Sequence, residues 1–275
     1  MLYDGKQASL DLQLELQSRI KKLSHTPVLA IISIATHPSI TSFIKIKRRF
    51  AEAAGITIQE FDFPESAEEN ELVKKIQELS ENNLCDGIIV QLPLPKNFDV
   101  IRILNTIPPH LDVDVLGLQA WNTFITTSNP LPPVAGAIAY ILKSSQIHIT
   151  DKKVVIVGRG KLVGIPVTQW FIHQGVNPVV VDIKTDEVTR LKLYKDADII
   201  ISGIGLPHNL KPEYFKEGVI LIDAGTSEQS GALAGDCDPT CASVASLYTP
   251  VPGGVGPLTV ATLFQNVVAS AEKNI

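Results

Sequence analysis

Five residues of the 275-residue chain carry side chains that suit proton transfer or the binding of a polar ring system. Phe43 and Lys47 are four residues apart in a predicted helix, so they share a face, where the ring would stack on a flat heterocycle beneath the amine. Gln91 directly follows a predicted strand, and Asp112 and Asp114 follow a predicted helix, where their carboxylates would orient the polar edge of a substrate. These residues also have simpler interpretations. Lys47 belongs to a run of basic residues that could face solvent, Gln91 could be a loop amide, and Asp112 and Asp114 could be acids in a turn.

A glycine-rich turn, Gly158-Arg-Gly-Lys-Leu-Val-Gly164, follows a predicted strand and precedes a predicted helix. Gly158 would permit the tight turn, and Gly160 would let the backbone approach a pyrophosphate at the helix N-terminus, where free N–H groups favour anions. This context predicts a dinucleotide site, although the spacing is one residue longer than the common fingerprint and an ordinary strand-to-helix turn stays open.

Asp182 ends the next predicted strand, 24 residues after Gly158. A carboxylate at this position accepts hydrogen bonds from ribose hydroxyls and repels a 2′-phosphate, which favours NAD. Arg159 and Lys184 would instead hold the 2′-phosphate of NADP by charge. A solvated loop acid is the third interpretation of Asp182, and the residues alone do not decide among them.

The segment Thr249-Pro-Val-Pro-Gly-Gly-Val-Gly-Pro257 is rich in residues that restrict or release the backbone. Such a rigid irregular loop before a last helix favours a role in shaping a site, against the alternative of a stiff connection. Cys85, Cys237 and Cys241 have no zinc-motif spacing, so we expect reduced thiols and no metal site.

Apolar runs of strand length alternate with helical patterns along the chain, which is typical of an α/β fold with mostly parallel strands. The predicted strands are 27–34, 56–61, 86–90, 153–157, 178–181, 197–202 and 218–223, and the predicted helices are 10–23, 39–54, 68–79, 135–145, 164–174 and 259–273. A proline cluster at 129–133 indicates a domain crossing. We therefore predict an N-terminal α/β substrate domain (1–131), a Rossmann-like, doubly wound dinucleotide-binding domain (132–257), and a C-terminal helix (258–275) that returns to the first domain.

Composition excludes several classes of protein. Hydrophobic residues make up 45% and charged residues 19%, with a mean hydropathy of +0.18, which excludes a disordered chain. The net charge of −5 argues against a nucleic-acid partner. The uncharged stretch 115–142 contains prolines that would break a spanning helix, so we expect no membrane association.

Taken together and in order, these segments resemble the bifunctional methylenetetrahydrofolate dehydrogenase/methenyltetrahydrofolate cyclohydrolase family. The resemblance covers nearly the whole chain and is carried chiefly by Asp86-Gly-Ile-Ile-Val-Gln-Leu-Pro-Leu-Pro95 and Thr249-Pro-Val-Pro-Gly-Gly-Val-Gly-Pro-Leu-Thr-Val-Ala261. Shorter matches lie at 112–114, 157–166 and 235–238.

The resemblance implies the oxidation of methylene-tetrahydrofolate to the methenyl form with NAD(P), and hydrolysis of that form to formyl-tetrahydrofolate. It implies Lys47 as the catalytic lysine, Gln91 as its partner and Asp114 as the carboxylate that holds the substrate. It further implies a cytoplasmic homodimer that uses NADP. Substrate-binding residues would be Phe43, Pro252, Gly253 and Gly254, and cofactor-binding residues would be Gly158, Arg159, Gly160 and Thr226, with Asp182 leaving NAD open.

The chain departs from the family pattern at several positions. Phe43 stands where the family has tyrosine, and Gly160 stands where it has serine. Asp182-Ile183 replaces a His-Ser pair, and Val115 replaces the glycine that follows Asp-Val-Asp in the family. Two other functions therefore stay open at this point: a shikimate-type two-domain dehydrogenase, and a catalytically weakened protein that binds folate or a dinucleotide.

Overall fold

The computed structural model describes residues 1–34, 38–229 and 232–273. Helices and strands alternate along the chain, which confirms the predicted α/β class. As far as residue 133 the elements are α1 (Gly5–Ile20), β1 (Val28–Ile34), α2 (Pro38–Ala54), β2 (Thr57–Phe63), α3 (Glu69–Glu81), β3 (Gly87–Val90), α4 (Val100–Thr106) and α5 (Leu118–Thr127). The later elements are α6 (Pro133–Ser144), β4 (Val154–Val157), α7 (Gly164–His173), β5 (Val179–Val181), α8 (Glu187–Asp196), β6 (Ile199–Ser202), β7 (Val219–Asp223), β8 (Ser227–Gln229), β9 (Ala232–Ala234), β10 (Ala245–Thr249) and α9 (Val255–Ala271).

The chain forms two compact units. The N-terminal unit comprises Leu10–Pro133 and Val260–Ile275, and the C-terminal unit comprises Met1–Ser9 and Val134–Thr259. Residues 1–9 thus group with the later part of the chain, whereas the sequence-based division places them in the first domain. The functional domains 1–131 with 258–275, and 132–257, stay a prediction.

The N-terminal unit is built on a three-stranded parallel sheet in the order β2-β1-β3. All but the first residue of β1 are buried, because this central strand is covered on both faces. The chain at 111–112 runs beside β3, with a parallel bridge between Ile88 and Asp112 and a 2.8 Å hydrogen bond from Ile88 N to Leu111 O. From α9, Phe264 stacks on Phe50 of α2 with ring centroids 5.0 Å apart.

The C-terminal unit contains a five-stranded parallel sheet in the order β10-β7-β6-β4-β5. When only the five strands of this sheet are numbered along the chain, the order is 2-1-3-4-5 in reverse, which is one of the doubly wound arrangements. The glycine-rich turn predicted to bind a dinucleotide follows β4, next to the end of β6, so a ligand is expected at the carboxyl ends of these two strands.

The structure contains helices and strands that are not among the elements with predicted bounds. The additional helices are α4, α5 and α8. β8, β9 and β10 have no predicted counterpart, because they are short and lack a clear alternation of apolar and polar residues. α9 begins at Val255 rather than at Thr259. Gly256 and Pro257 fall in its first turn, where the missing N–H of proline costs no hydrogen bond. Within the described residues, no helix combines the length and apolar character needed to cross a membrane.

Candidate functional site

Lys47 and Gln91 meet at the carboxyl end of the N-terminal unit's sheet. Lys47 Nζ donates a 2.8 Å hydrogen bond to Gln91 Oε1. Gln91 Nε2 donates to Leu92 O at 3.0 Å, and Gln91 N donates to Ile32 O at 2.8 Å. The amide is thus held at both its side chain and its backbone, so that its oxygen faces the amine. Gln91 is buried and Lys47 is half-buried.

Asp114 is the charged neighbour of Lys47. Burial lowers the pKa of the Lys47 amine below its usual range, and the negative charge of Asp114 opposes that shift. Burial also raises the pKa of the Asp114 carboxyl, with the positive charge of Lys47 acting against it. The environment therefore favours the neutral form of each group more than water does, which suits an amine that must accept a proton.

Asp112 acts differently from Asp114, although the sequence places the two carboxylates as a pair. Asp112 is buried and accepts hydrogen bonds from Gly117 N at 2.7 Å and Leu116 N at 3.4 Å. Burial raises the pKa of its carboxyl to about 6. Asp112 thus closes a turn in the backbone, and the expectation that it also orients a substrate stays a prediction.

Phe43 lies one helical turn before Lys47 on α2 and is 45% exposed. The spacing puts both side chains on one face, as predicted, with much of the ring surface accessible to a ligand. The contact between this ring and a folate stays a prediction.

The segment Pro252–Gly254 forms a turn between β10 and α9 in the C-terminal unit, and backbone hydrogen bonds hold this turn. Gly253 has φ +107°, a backbone conformation that favours glycine, and its carbonyl accepts a 2.9 Å hydrogen bond from Gly5 N. Gly254 N donates to Pro250 O at 2.7 Å, and a Cβ on Gly254 would lie 2.7 Å from the same oxygen. These contacts fix the conformation of the turn in the structure, and its rigidity and its part in substrate binding stay predictions.

The glycine-rich turn lies at the carboxyl end of β4 in the C-terminal sheet. Gly158 follows β4 with φ +100°, and a Cβ on Gly164 would lie only 2.1 Å from Gly158 O. A Cβ on Gly160 would have its nearest neighbour 3.9 Å away, so the backbone there is accessible. These features fit a pyrophosphate at the N-terminus of α7, because they allow close approach to backbone N–H groups.

Gly203 is a residue of this region that sequence reasoning missed. It follows β6 directly, and a Cβ there would lie 2.5 Å from Val163 Cγ1. A glycine at the end of the strand next to β4 is the signal that would have identified it.

Asp182 sits after β5 with basic groups nearby. Its carboxylate accepts a 2.9 Å hydrogen bond from Lys184 N and lies 3.9 Å from Arg159 Nε, whose side chain is 66% exposed. Thr226 is exposed just before β8. The structure therefore places an acid and a base together at the carboxyl ends of β4 and β5, and this pair fits either a ribose or its 2′-phosphate.

Two buried acids accept hydrogen bonds from the loops at the carboxyl ends of β6 and β7. Asp223 accepts hydrogen bonds from Gly225 N at 2.9 Å and Cys237 N at 2.8 Å, and burial raises the pKa of its carboxyl to about 6. Asp236 accepts from Ser202 Oγ at 2.7 Å and Ile204 N at 2.8 Å. Both acids hold loops that follow β6 and β7.

The cysteines are free and buried. Burial raises the pKa of the Cys85 and Cys241 thiols to about 12, so these thiols stay protonated at neutral pH. In the part of the chain that the structure describes, no group of three or more His, Cys, Asp or Glu side chains is placed to hold a metal ion.

Comparison with known families gives two matches that together span most of the chain. Residues 3–114 match the family described as tetrahydrofolate dehydrogenase/cyclohydrolase, catalytic domain. Residues 132–275 match tetrahydrofolate dehydrogenase/cyclohydrolase, NAD(P)-binding domain. The bifunctional protein FolD of Ligilactobacillus salivarius is 34% identical over 280 residues, which cover 100% of this chain and 98% of that protein.

Solved structures give the same result. The bifunctional methylenetetrahydrofolate dehydrogenase/cyclohydrolase FolD of Campylobacter jejuni is similar with a TM-score of 0.96 and 32% identity, covering 100% of this chain and 99% of that one. The Trypanosoma brucei enzyme, complexed with NADP and an inhibitor, has a TM-score of 0.93 and 28% identity, covering 100% and 98%. A Thermus thermophilus shikimate 5-dehydrogenase has a TM-score of 0.54 at 14% identity over 90% of this chain and 99% of that one, which shows a related fold alone.

Proposed function

Because this chain belongs to the tetrahydrofolate dehydrogenase/cyclohydrolase family, it is a bifunctional enzyme of folate one-carbon metabolism, and we propose that Lys47, Gln91 and Asp114 perform its chemistry. The observation that carries this assignment is the 2.8 Å hydrogen bond from Lys47 Nζ to Gln91 Oε1 in a buried setting beside Asp114. The enzyme oxidises methylene-tetrahydrofolate to the methenyl form and hydrolyses that form to formyl-tetrahydrofolate.

In the hydrolytic step, Lys47 is the acid/base group. Its lowered pKa provides neutral amine that takes a proton from the water attacking the methenyl carbon. The resulting ammonium then donates that proton to the ring nitrogen as the carbon–nitrogen bond opens. The hydroxyl of the adduct loses its proton to solvent as its oxygen becomes the formyl carbonyl, so that one proton is released overall. Gln91 accepts a hydrogen bond from the amine and so fixes where its lone pair or its remaining protons point.

Asp114 binds the pterin ring of the substrate. A carboxylate accepts hydrogen bonds from the amide and amino N–H groups on one edge of that ring. Phe43, one turn before Lys47 on the same helix face, stacks on the flat system. The family resemblance further supports Pro252, Gly253 and Gly254 as substrate-binding residues.

The dehydrogenase step needs a nicotinamide dinucleotide, which accepts a hydride when bound. The glycine-rich turn fits such a group, because Gly158 allows the turn and the backbone at Gly160 is open to close approach. Gly158, Arg159, Gly160 and Thr226 would hold it. The protein's own contribution is to orient the cofactor and the folate, since hydride transfer requires little further acid/base chemistry.

NADP is the proposed cofactor, with NAD as the alternative. The NADP complex of the Trypanosoma brucei relative supports NADP, as does the exposed side chain of Arg159, whose Nε lies 3.9 Å from the Asp182 carboxylate. Asp182 supports NAD, because its negative charge would oppose a 2′-phosphate. The family resemblance also supports a homodimer located in the cytoplasm, which sedimentation and fractionation would test.

The role of Lys47 is tested by replacing it with methionine, which keeps its length and removes the amine. We expect the hydrolysis of methenyl-tetrahydrofolate by Lys47→Met to fall by about 10²- to 10⁴-fold, the usual contribution of a positioned acid/base group, with folate binding largely kept. The matched control is Lys45→Met, an exposed lysine on the same helix, which should stay within about twofold of wild type.

Absorbance at the methenyl chromophore measures hydrolysis, and parallel turnover of methylene-tetrahydrofolate with NAD and NADP measures oxidation. Undiminished hydrolysis in Lys47→Met would refute the assigned role. Folate binding without turnover in the wild-type protein would instead favour the weakened binding protein, to which the departures at Phe43 and Val115 point.

A further inference from the structure

The turn that carries Asp114 is held in a conformation that its own residues do not prefer. Val115 has φ +59° and is buried. A β-branched residue in the left-handed region is rare, because its Cβ crowds the following carbonyl. Such a conformation persists only where surrounding groups fix it. On one side, the Asp112 carboxylate does so by accepting the N–H of Gly117.

Asn266 of α9 fixes the same turn from the other side. Its Nδ2 donates 2.9 Å hydrogen bonds to Val113 O and to Leu131 O, so both N–H groups of the amide are used. The side chain is 9% exposed, which leaves little water to replace these bonds. One residue thereby ties two carbonyls of distant segments to the C-terminal helix.

The contact with Val113 bears directly on Asp114. The carbonyl of Val113 and the N–H of Asp114 belong to one planar peptide unit. Fixing that carbonyl therefore fixes the plane from which the Cα of Asp114 projects. Val113 is also confined through its side chain, because a Cβ on Gly87, at the start of β3, would lie 2.8 Å from Val113 Cγ1.

We propose that Asn266 is a positioning residue of the folate site, which aligns the Val113–Asp114 peptide so that the Asp114 carboxylate is presented to the substrate beside Lys47. Asn266 acts through Asp114 and does not itself touch the reacting atoms. The inference rests on the proposed role of Asp114 in holding the pterin.

Ser270 provides the matched control. It lies one turn further along α9 and donates a 2.9 Å hydrogen bond from Oγ to His110 O. The two residues thus connect the same helix to the same stretch of chain, but the Ser270 contact ends four residues before Asp114. Replacing Ser270 removes a comparable buried hydrogen bond and leaves the Val113–Asp114 peptide held.

The test is a double-mutant cycle on Asn266→Ala and Asp114→Asn, with Ser270→Ala alongside. We expect Asn266→Ala to raise the KM for methenyl-tetrahydrofolate by about tenfold with a smaller change in kcat, because the loss is in substrate binding. Ser270→Ala should stay within about twofold of wild type. Adding Asn266→Ala to Asp114→Asn should change KM by less than about twofold, since the group being positioned is already gone.

Titration calorimetry measures the affinity of the same variants for tetrahydrofolate, so the double-mutant cycle can be repeated on binding alone. If the wild type binds tetrahydrofolate but Asn266→Ala and Ser270→Ala bind it equally well, Asn266 has no positioning role. Additive losses in the double variant also overturn the proposal, because they indicate general loosening of the fold. A wild type without turnover contradicts the proposed function instead, while the binding cycle still decides the role of Asn266.

Asn266→Ser keeps the test available if Asn266→Ala fails to fold. Serine supplies one donor in place of two, so the affinity for tetrahydrofolate should lie between those of wild type and Asp114→Asn. A folded Asn266→Ser with wild-type affinity overturns the proposal.

Discussion

At the scale of single residues, the environment decides which of several chemically similar groups becomes reactive. Lys45 and Lys47 lie on one helix, but Lys45 is exposed whereas burial lowers the pKa of Lys47. Asp112 and Asp114 are two residues apart, yet Asp112 binds backbone N–H groups and Asp114 faces the charge of Lys47. The proposed catalytic roles follow from these surroundings and not from residue type alone.

Asp182 is the residue at which we expect a substitution to change cofactor preference. We expect Asp182→Ser to raise the ratio of kcat/KM with NADP to kcat/KM with NAD by about tenfold, since it removes a negative charge from the position of a 2′-phosphate. The measurement is steady-state oxidation of methylene-tetrahydrofolate with each cofactor at varied concentration.

Asp186→Ser is the control for this prediction. It removes the same charge four residues later, where the side chain caps α8 by accepting from Thr189 N, and serine can keep that cap. The ratio should stay at the wild-type value in Asp186→Ser. An unchanged ratio in Asp182→Ser, or an equal change in both variants, would show that Asp182 does not set the cofactor preference.

At the scale of elements, the turn from Asp112 to Gly117 shows how backbone geometry serves a site. Asp112 accepts from Gly117 N, and a Cβ on Gly117 would lie 2.8 Å from Leu104 O, so this glycine allows the approach. Val115 sits between them with φ +59°, at the position where the family has glycine. The backbone at this position thus has the positive φ that glycine adopts readily, although valine disfavours it.

The strain at Val115 predicts an inverted order of two substitutions. Val115→Gly and Val115→Ala both lose the buried isopropyl group, but only glycine is free of the cost of positive φ. We expect the glycine variant to be more stable than the alanine variant by about 1 kcal/mol, measured as a higher thermal unfolding midpoint.

Val113 is the control position, since it is equally buried and is not among the described residues with positive φ. There, Val113→Ala should be more stable than Val113→Gly by about 0.5–1 kcal/mol, the usual order. The same order at both positions would mean that residue 115 is not strained.

At the scale of the whole molecule, each compact unit contains a buried acid that resists ionisation. Asp112 in the N-terminal unit and Asp223 in the C-terminal unit have pKa values raised to about 6 by burial. The folded protein therefore holds these protons more tightly than the unfolded chain does. Their contribution to stability is full below pH about 4 and is lost as the pH rises through about 6, on the order of 3 kcal/mol each.

Asp223→Asn tests this linkage because asparagine does not titrate. We expect the unfolding midpoint of wild type minus that of Asp223→Asn to fall as the pH rises from 4.5 to 7, measured by thermal unfolding. Taking the difference cancels the other titrating groups, which are the same in both proteins.

Asp186→Asn has the opposite expectation. Hydrogen bonds from Thr189 lower the pKa of Asp186, so its contribution to stability is present above the ordinary pKa and is lost only in more acidic solution. For this variant the same difference should rise or stay level between pH 4.5 and 7. A difference that rises for Asp223→Asn would contradict the raised pKa.

The class of fold, the glycine-rich turn and most of the candidate residues could be predicted from the amino-acid sequence. Runs such as 28–34 and 154–157 have the length and apolar character of strands covered on both faces, and Phe43 and Lys47 share a helix face by spacing alone. These inferences depend on periodicity and backbone sterics within a few residues, and such local rules can be applied without coordinates.

The contacts that those residues make could not be predicted from local patterns, because most of them form between segments that are distant in the chain. The tertiary structure separated Asp112 from Asp114, added Gly203 beside the glycine-rich turn, and formed the edge strand β10 from a segment with no clear pattern. It also brought Asn266 to Val113, 153 residues away along the chain. A pairing at that separation leaves no trace in local periodicity, because it depends on how α9 packs in the folded unit.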